Sequence, residues 1–302
     1  MPLSSRLAVG AAALTVLAAC GSSPSDTAPA SPSALTVAVQ NSTLLPGVNR
    51  LGVALLEPGN RPVLGAVVRA TLSDAARRPF ESVGLQFIGT NYGAIPVYLG
   101  AAAFPDAGQF HIGVQATLAD GSTLNGTTDV TVTTHSPELP VGHSVTEVRI
   151  LTQRVARDVG GDLSQIDSAV RDGRSDPDPF HAYTIKDGLD MHRPMVLYFG
   201  EPGRCATMTC GPTVAVLEQI YPTYKDRLLF EHIEVHDPAG GQAFNPVLVG
   251  FGLTSEPWVF FVNDQGVVAD RFEGPVTAEQ LAAAADGTLA GRVPAVQVVA
   301  SG

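Results

Sequence analysis

Between Arg193 and Tyr224 the chain runs from a short apolar segment, Met195 to Phe199, through a loop with Pro202, Gly203, Cys205 and Cys210, into Val214, Leu217, Ile220, Tyr221 and Tyr224. Five apolar residues bounded by turn formers have the pattern of a strand buried on both faces. The residues that follow recur at spacings that place one apolar stripe on a helix. Strand, cysteine-bearing turn and helix in that order constrain the chain more than any other feature, because they bring two cysteines to a helix N-terminus. Unpaired amides there carry about half a positive charge, which stabilises a thiolate and lowers a thiol's pKa.

This stretch resembles the redox-motif region of the thioredoxin superfamily. The resemblance implies a thioredoxin-like α/β fold over residues 193–287, with Cys205 and Cys210 as a catalytic pair, one attacking a partner sulfur and the other resolving the mixed disulfide. The spacing is C-x4-C where the family has C-x2-C. Aligning Leu217 to Ile220 on the family's helix puts Cys210 at the resolving position and Thr207 at the usual nucleophile position. Arg204 stands where a Trp is common and would help to stabilise a thiolate at Cys205. Tyr198 stands where a buried acid is usual. Further on, Thr254-Ser255-Glu256-Pro257 leads into Trp258 to Val262. By position the resemblance makes Pro257 a cis proline lying against the cysteines, with Glu256 adding negative charge beside them. Leu228 to Val235 alternates as a strand, Gln242 to Phe251 is a plausible helix, Asn263 to Gly266 turns a hairpin into Val267 to Phe272, and Thr277 with Gln280 caps a last helix through Ala285. Residues 288–302 read as a tail.

Residues 1–20 contain one early cation, Arg6, an apolar core from Leu7 to Leu17 and a small-residue site ending in Cys20. That core is too short to span a bilayer as a permanent helix. Leu17-Ala18-Ala19-Cys20 resembles a bacterial lipobox, which implies a signal peptide over 1–19, diacylglycerol on Cys20, a flexible Ser/Pro/Ala tether over 20–34, and a protein lipid-anchored at the extracytoplasmic face of the cell membrane. An ordinary secretory signal with a chance cysteine is the other reading. Export leaves Cys205 and Cys210 as an even pair, expected as a disulfide in an oxidising compartment. So small a loop contributes only about 2 kcal/mol of stability on closure, which favours a redox role over an architectural one. The net charge of −11 and the lack of a basic run argue against a nucleic-acid partner.

Residues 35–134 lack cysteine and helical periodicity. They read as strands over Leu35 to Gln40, Asn49 to Leu56, Ala66 to Leu72, Gly84 to Ile88, Ala94 to Leu99, Gln109 to Leu118 and Thr123 to Thr133, separated by turn signals such as Glu57-Pro58-Gly59-Asn60. Phe110, Ile112, Val114 and Ala116 form one inward set. This segment resembles an immunoglobulin-like β-sandwich acting as a stalk or adaptor. Residues 135–192 are a Pro- and Gly-interrupted linker and lead-in with one possible helix, Leu163 to Val170. The expected fold is therefore multidomain, an all-β sandwich followed by an α/β thioredoxin-like body.

The function implied is thiol-disulfide exchange with exported proteins bearing thiols or disulfides, with no cofactor. Two alternatives stand beside it. One is a redox-inert binding or scaffold module with a structural disulfide. The other is the copper-chaperone branch typified by the Sco proteins, weakened because Leu253 to Val262 holds no histidine. His232, Glu234 and His236 would share a strand face by period-two alternation. No third close ligand is evident from sequence, so that face is read as polar and solvated, with no metal.

Overall fold

The computed structural model describes residues 35–89, 95–150, 154–173, 176–205, 208–236 and 243–292, apart from the side chains of 149 and 150. Cys20, the signal peptide, the tether and the tail beyond residue 292 lie outside the described residues.

Eight strands form the larger sheet: β1 (Thr36–Val39), β2 (Gly47–Glu57), β3 (Arg61–Pro62), β4 (Val67–Ser73), β5 (Pro79–Phe87), β6 (Val97–Phe104), β7 (Gly108–Thr117) and β8 (Thr123–Val132). They pair in the order β1-β2-β6-β5-β4-β7-β8, with β3 on β2. Period-two alternation sets the core: Val68, Ala70 and Leu72 of β4 and Phe110, Ile112, Val114 and Ala116 of β7 are all buried. The sheet curls until its ends meet. The Leu35 amide donates to Asn125 O at 2.9 Å and the Thr133 amide to Leu44 O at 2.9 Å. A Cβ on Gly126 would lie 2.2 Å from Leu35 O, so this closure requires glycine there. The eight strands thus make a nearly closed β-sandwich or barrel, in keeping with the all-β sandwich expected of this segment.

The smaller sheet contains β9 (Met195–Phe199), β10 (Leu229–Ile233), β11 (Trp258–Val262) and β12 (Val268–Glu273), in the order β10-β9-β11-β12. β10 runs parallel to β9, and the remaining pairs are antiparallel. Every residue of β9, β10 and β11 is buried. The helices are α1 (Ser168–Arg171), α2 (Ile185–Asp190), α3 (Cys210–Tyr224), α4 (Pro246–Gly250) and α5 (Ala278–Leu289). Val216, Leu217 and Ile220 of α3 and Leu281 and Ala285 of α5 pack over one sheet face with Tyr198 and Phe261. Ile185 of α2 and Val247 and Leu248 of α4 pack over the other with Phe199 and Phe260.

The fold class expected from sequence is corrected here, and the thioredoxin resemblance with it. Strand makes up 37% of the chain and helix 22%, so the molecule is predominantly β. The described residues from Leu35 onward fall in one compact unit. The physical reason lies in the packing. Ile88, Val97 and Leu99 of the larger-sheet region are buried in the same cluster as Val196, Leu217 and Phe261, so the larger sheet walls part of the smaller one's core. Among the described residues only α3 and α5 exceed six residues; α1, α2 and α4 span four, six and five. A local strand, turn and helix order says nothing about how much of a core is covered by helices and how much by another sheet.

Polar contacts cross the same junction. Arg50 of β2 donates to Glu273 O at 2.9 Å and to Pro275 O, and its guanidinium lies 5.8 Å from the Phe272 ring centroid. The Ser42 amide donates to the Glu273 carboxylate at 2.9 Å. Arg271 of β12 donates to Glu138 O at 2.9 Å and Leu139 O at 3.1 Å, tying the joining segment to the smaller sheet.

Candidate functional site

β9 ends at Phe199 and feeds a loop that runs back over α1. The Gly203 amide donates to Ser168 Oγ at 2.9 Å, and a Cβ on Gly203 would lie 2.4 Å from Ser168 O. Only a residue without a side chain permits that approach. Arg204 pairs through Nε with Glu201 Oε1 at 3.0 Å, and Glu201 Oε2 bonds His236 Nδ1 at 2.7 Å. Arg204, expected to face a Cys205 thiolate, is thus placed on a carboxylate.

Cys205 and Cys210 are joined in a disulfide with their Cα atoms 5.9 Å apart. Cys210 is fully buried whereas Cys205 is only partly so. α3 begins at Cys210 itself, and the Cys210 amide donates to Cys205 Sγ at 3.2 Å. Pro212 is the third residue of α3. Its missing N–H remains harmless, since first-turn amides have no partner within the helix. Tyr198 donates through its hydroxyl to Cys210 O at 2.9 Å. Burial, then Glu234 and Glu256, push its phenol well above the usual value, so it stays a donor.

The Glu256–Pro257 peptide is cis, and Pro257 is buried at the head of β11. Glu256 offers an oxygen within 4.8 Å of both sulfurs. The structure therefore brings Cys205, Cys210 and Glu256 together. The third group beside the sulfurs is a hard carboxylate, ill matched to the soft Cu(I) of the copper-chaperone alternative.

On the far side of Tyr198 lies a cluster that the sequence reading missed. The Tyr198 ring centroid is 4.8 Å from that of His232, and His232 is 4.8 Å from His181. His232 Nδ1 bonds Asp178 Oδ2 at 2.8 Å, and its Nε2 bonds Gly200 O at 3.2 Å. His181 Nε2 lies 3.3 Å from Asp167 Oδ2 and 3.4 Å from Asp178 Oδ1. Glu234 Oε1 accepts the Ser168 amide at 2.7 Å. All five side chains are at most 5% exposed. The solvated strand face expected for His232 and Glu234 is in fact interior; β10 ends at Ile233, and only His236 turns away, to Glu201.

Burial opposes every charge in this cluster, and the partners decide the outcome. Burial disfavours ionised Asp178, yet His232 and His181 hold its carboxyl far below the usual range. Burial likewise works against His232, but Asp178 above all pushes it up to about 9. His181 is raised by Asp167 and Asp178 against the same penalty. Glu234 goes the other way: burial pushes its carboxyl up to about 7, with His232 only partly offsetting. The signal available in sequence was weak. Asp167, Asp178 and His181 fall in a stretch broken by Pro177 and Pro179, without the periodicity that would have placed them opposite His232.

No family model matches this chain, and none of the curated proteins compared matches it. Among solved structures, the chain is similar to CopC from Methylosinus trichosporium OB3b, at 12% identity over 33% of this chain and 97% of that one, with a TM-score of 0.24. MtrC from Shewanella baltica OS185 matches at 14% identity over 36% of this chain and 24% of that one, with a TM-score of 0.23. The fibronectin type-III domain of human fibronectin type III domain containing protein 3 matches at 16% identity over 38% and 95%, with a TM-score of 0.22.

Proposed function

We propose that the protein exchanges disulfides with exported proteins at the extracytoplasmic face of a cell membrane, held there by lipid on Cys20. The observation that carries this reading is the asymmetry of the pair. Cys205 is the partly exposed sulfur, and Cys210 is buried at the start of a fifteen-residue helix. A partner thiolate attacks Cys205 Sγ, the Cys205–Cys210 bond breaks, and its electron pair goes to Cys210. The thiolate left on Cys210 sits in the first turn of α3, where the helix dipole stabilises negative charge. The partner's second thiolate then attacks the partner sulfur of the mixed disulfide and releases Cys205. The partner dithiol is oxidised by two electrons as the protein's disulfide is reduced; the opposite direction follows the same steps reversed. Met208, 71% exposed three residues after Cys205, offers the incoming chain an apolar contact.

Single serine variants test the mechanism. Cys210→Ser keeps the accessible sulfur and is expected to trap mixed disulfides, whereas Cys205→Ser is expected to trap none. The wild-type pair is expected to have a potential above about −300 mV and to reduce insulin in the presence of a dithiol. A pair that resists reduction below that value, in a protein that traps nothing in either variant, is a structural staple, and the redox-inert binding module takes its place.

A further inference from the structure

We propose that Asp167, Asp178, His181 and His232 form a binding site for one divalent first-row transition-metal ion, Zn²⁺ ahead of Mn²⁺. One potential ligand atom from each lies within 4.8 Å of all the others. Two imidazoles and two carboxylates are a nitrogen and oxygen donor set suited to these ions.

Three observations carry the assignment. The first is an orphaned nitrogen. His181 is 4% exposed, and its Nε2 points into the cluster yet makes no hydrogen bond, although two carboxylate oxygens lie close by. The second is spacing. Ligands about 2.1 Å from a tetrahedral zinc stand about 3.4 Å apart. His181 Nε2 stands 3.3 Å from Asp167 Oδ2 and 3.4 Å from Asp178 Oδ1, the edges of such a tetrahedron. The third is the outer support. His232 Nε2 faces the Gly200 carbonyl at 3.2 Å, the kind of outer partner to which a ligating imidazole ordinarily donates, while Nδ1, 2.8 Å from Asp178 Oδ2 in this structure, would exchange that contact for the metal. Asp167 is held similarly, since its Oδ1 accepts the Ala169 amide at 2.8 Å and leaves Oδ2 to the cluster.

Glu234, next to His232, stands at the margin of the set.

The test uses the full chain with its disulfide oxidised and Cys20 alkylated, so that no thiolate competes for the metal. Protein is unfolded in guanidinium with a chelator, then refolded with ZnCl₂, with MnCl₂ or without metal, and dialysed against metal-free buffer. Wild type refolded with zinc is expected to retain about one equivalent and to melt at a higher temperature than the metal-free sample. Asp167→Asn keeps the α1 cap, His181→Gln keeps the volume, and each is expected to retain at least tenfold less zinc. Circular dichroism identifies variants that fold. If wild type retains no metal and melts alike in all three preparations, or if folded variants retain as much as wild type, the assignment is overturned.

Discussion

Tyr198 touches both halves of the site. Its hydroxyl holds the Cys210 carbonyl, and its ring stands against His232. A buried carbonyl deprived of its donor pays a desolvation penalty, so Tyr198→Phe should lower stability by about 1–2 kcal/mol. Urea denaturation checks the figure, and an unchanged midpoint would show that the hydroxyl contributes nothing. The same residue shows how far sequence could go. Its place at the end of an apolar strand was legible from Met195 to Phe199 alone, because five apolar residues in a row leave little choice. The partner of its ring was not legible, since His232 lies thirty-four positions away and nothing local points to it.

At the scale of elements, local chemistry transmitted well and coverage did not. Thr277 and Gln280 form the reciprocal cap that their spacing suggests: Thr277 Oγ1 accepts the Gln280 amide at 3.2 Å, and Gln280 Oε1 accepts the Thr277 amide at 3.1 Å. Thr277→Ala should therefore cost about 1 kcal/mol, read as a lowered urea midpoint at unchanged slope. The strand set of β7, the hairpin of β11 and β12, and the cysteine turn before α3 were equally visible, each being a short-range pattern. What sequence could not supply was the use of the 135–192 stretch. The expected helix from Leu163 breaks into a 3-10 turn, Leu163–Gln165, and the four residues of α1, and its real contribution is Asp167, Asp178 and His181. The α/β class failed for a related reason, because which surfaces cover β9 is decided by Ile88, Val97 and Leu99, a hundred residues upstream.

For the molecule as a whole, the junction between the sheets decides how it comes apart. Arg50 bonds to carbonyls across it, so Arg50→Ala should cost about 2 kcal/mol while a single cooperative transition is kept. Separate melting of the two sheets would refute that linkage. Glu273 at the same junction gives the pH dependence. Burial raises its carboxyl above the ordinary 4.5, against hydrogen bonds from Ser42 and Ser255. The folded state thus binds the proton more tightly than the unfolded one, and stability falls as pH rises from 4.5 through the raised value. Measured against Glu273→Gln, wild type should lose ground across that window and hold a constant difference above it. A last consequence follows from Ser168, whose amide is held by Glu234 while its hydroxyl holds the amide of Gly203. Deuterium cannot reach Gly203 unless that clasp lets go, and the turn bearing Cys205 cannot swing outward without the same release. Protection at these two amides should therefore rise and fall together, which makes the interior acid a latch on the outermost sulfur.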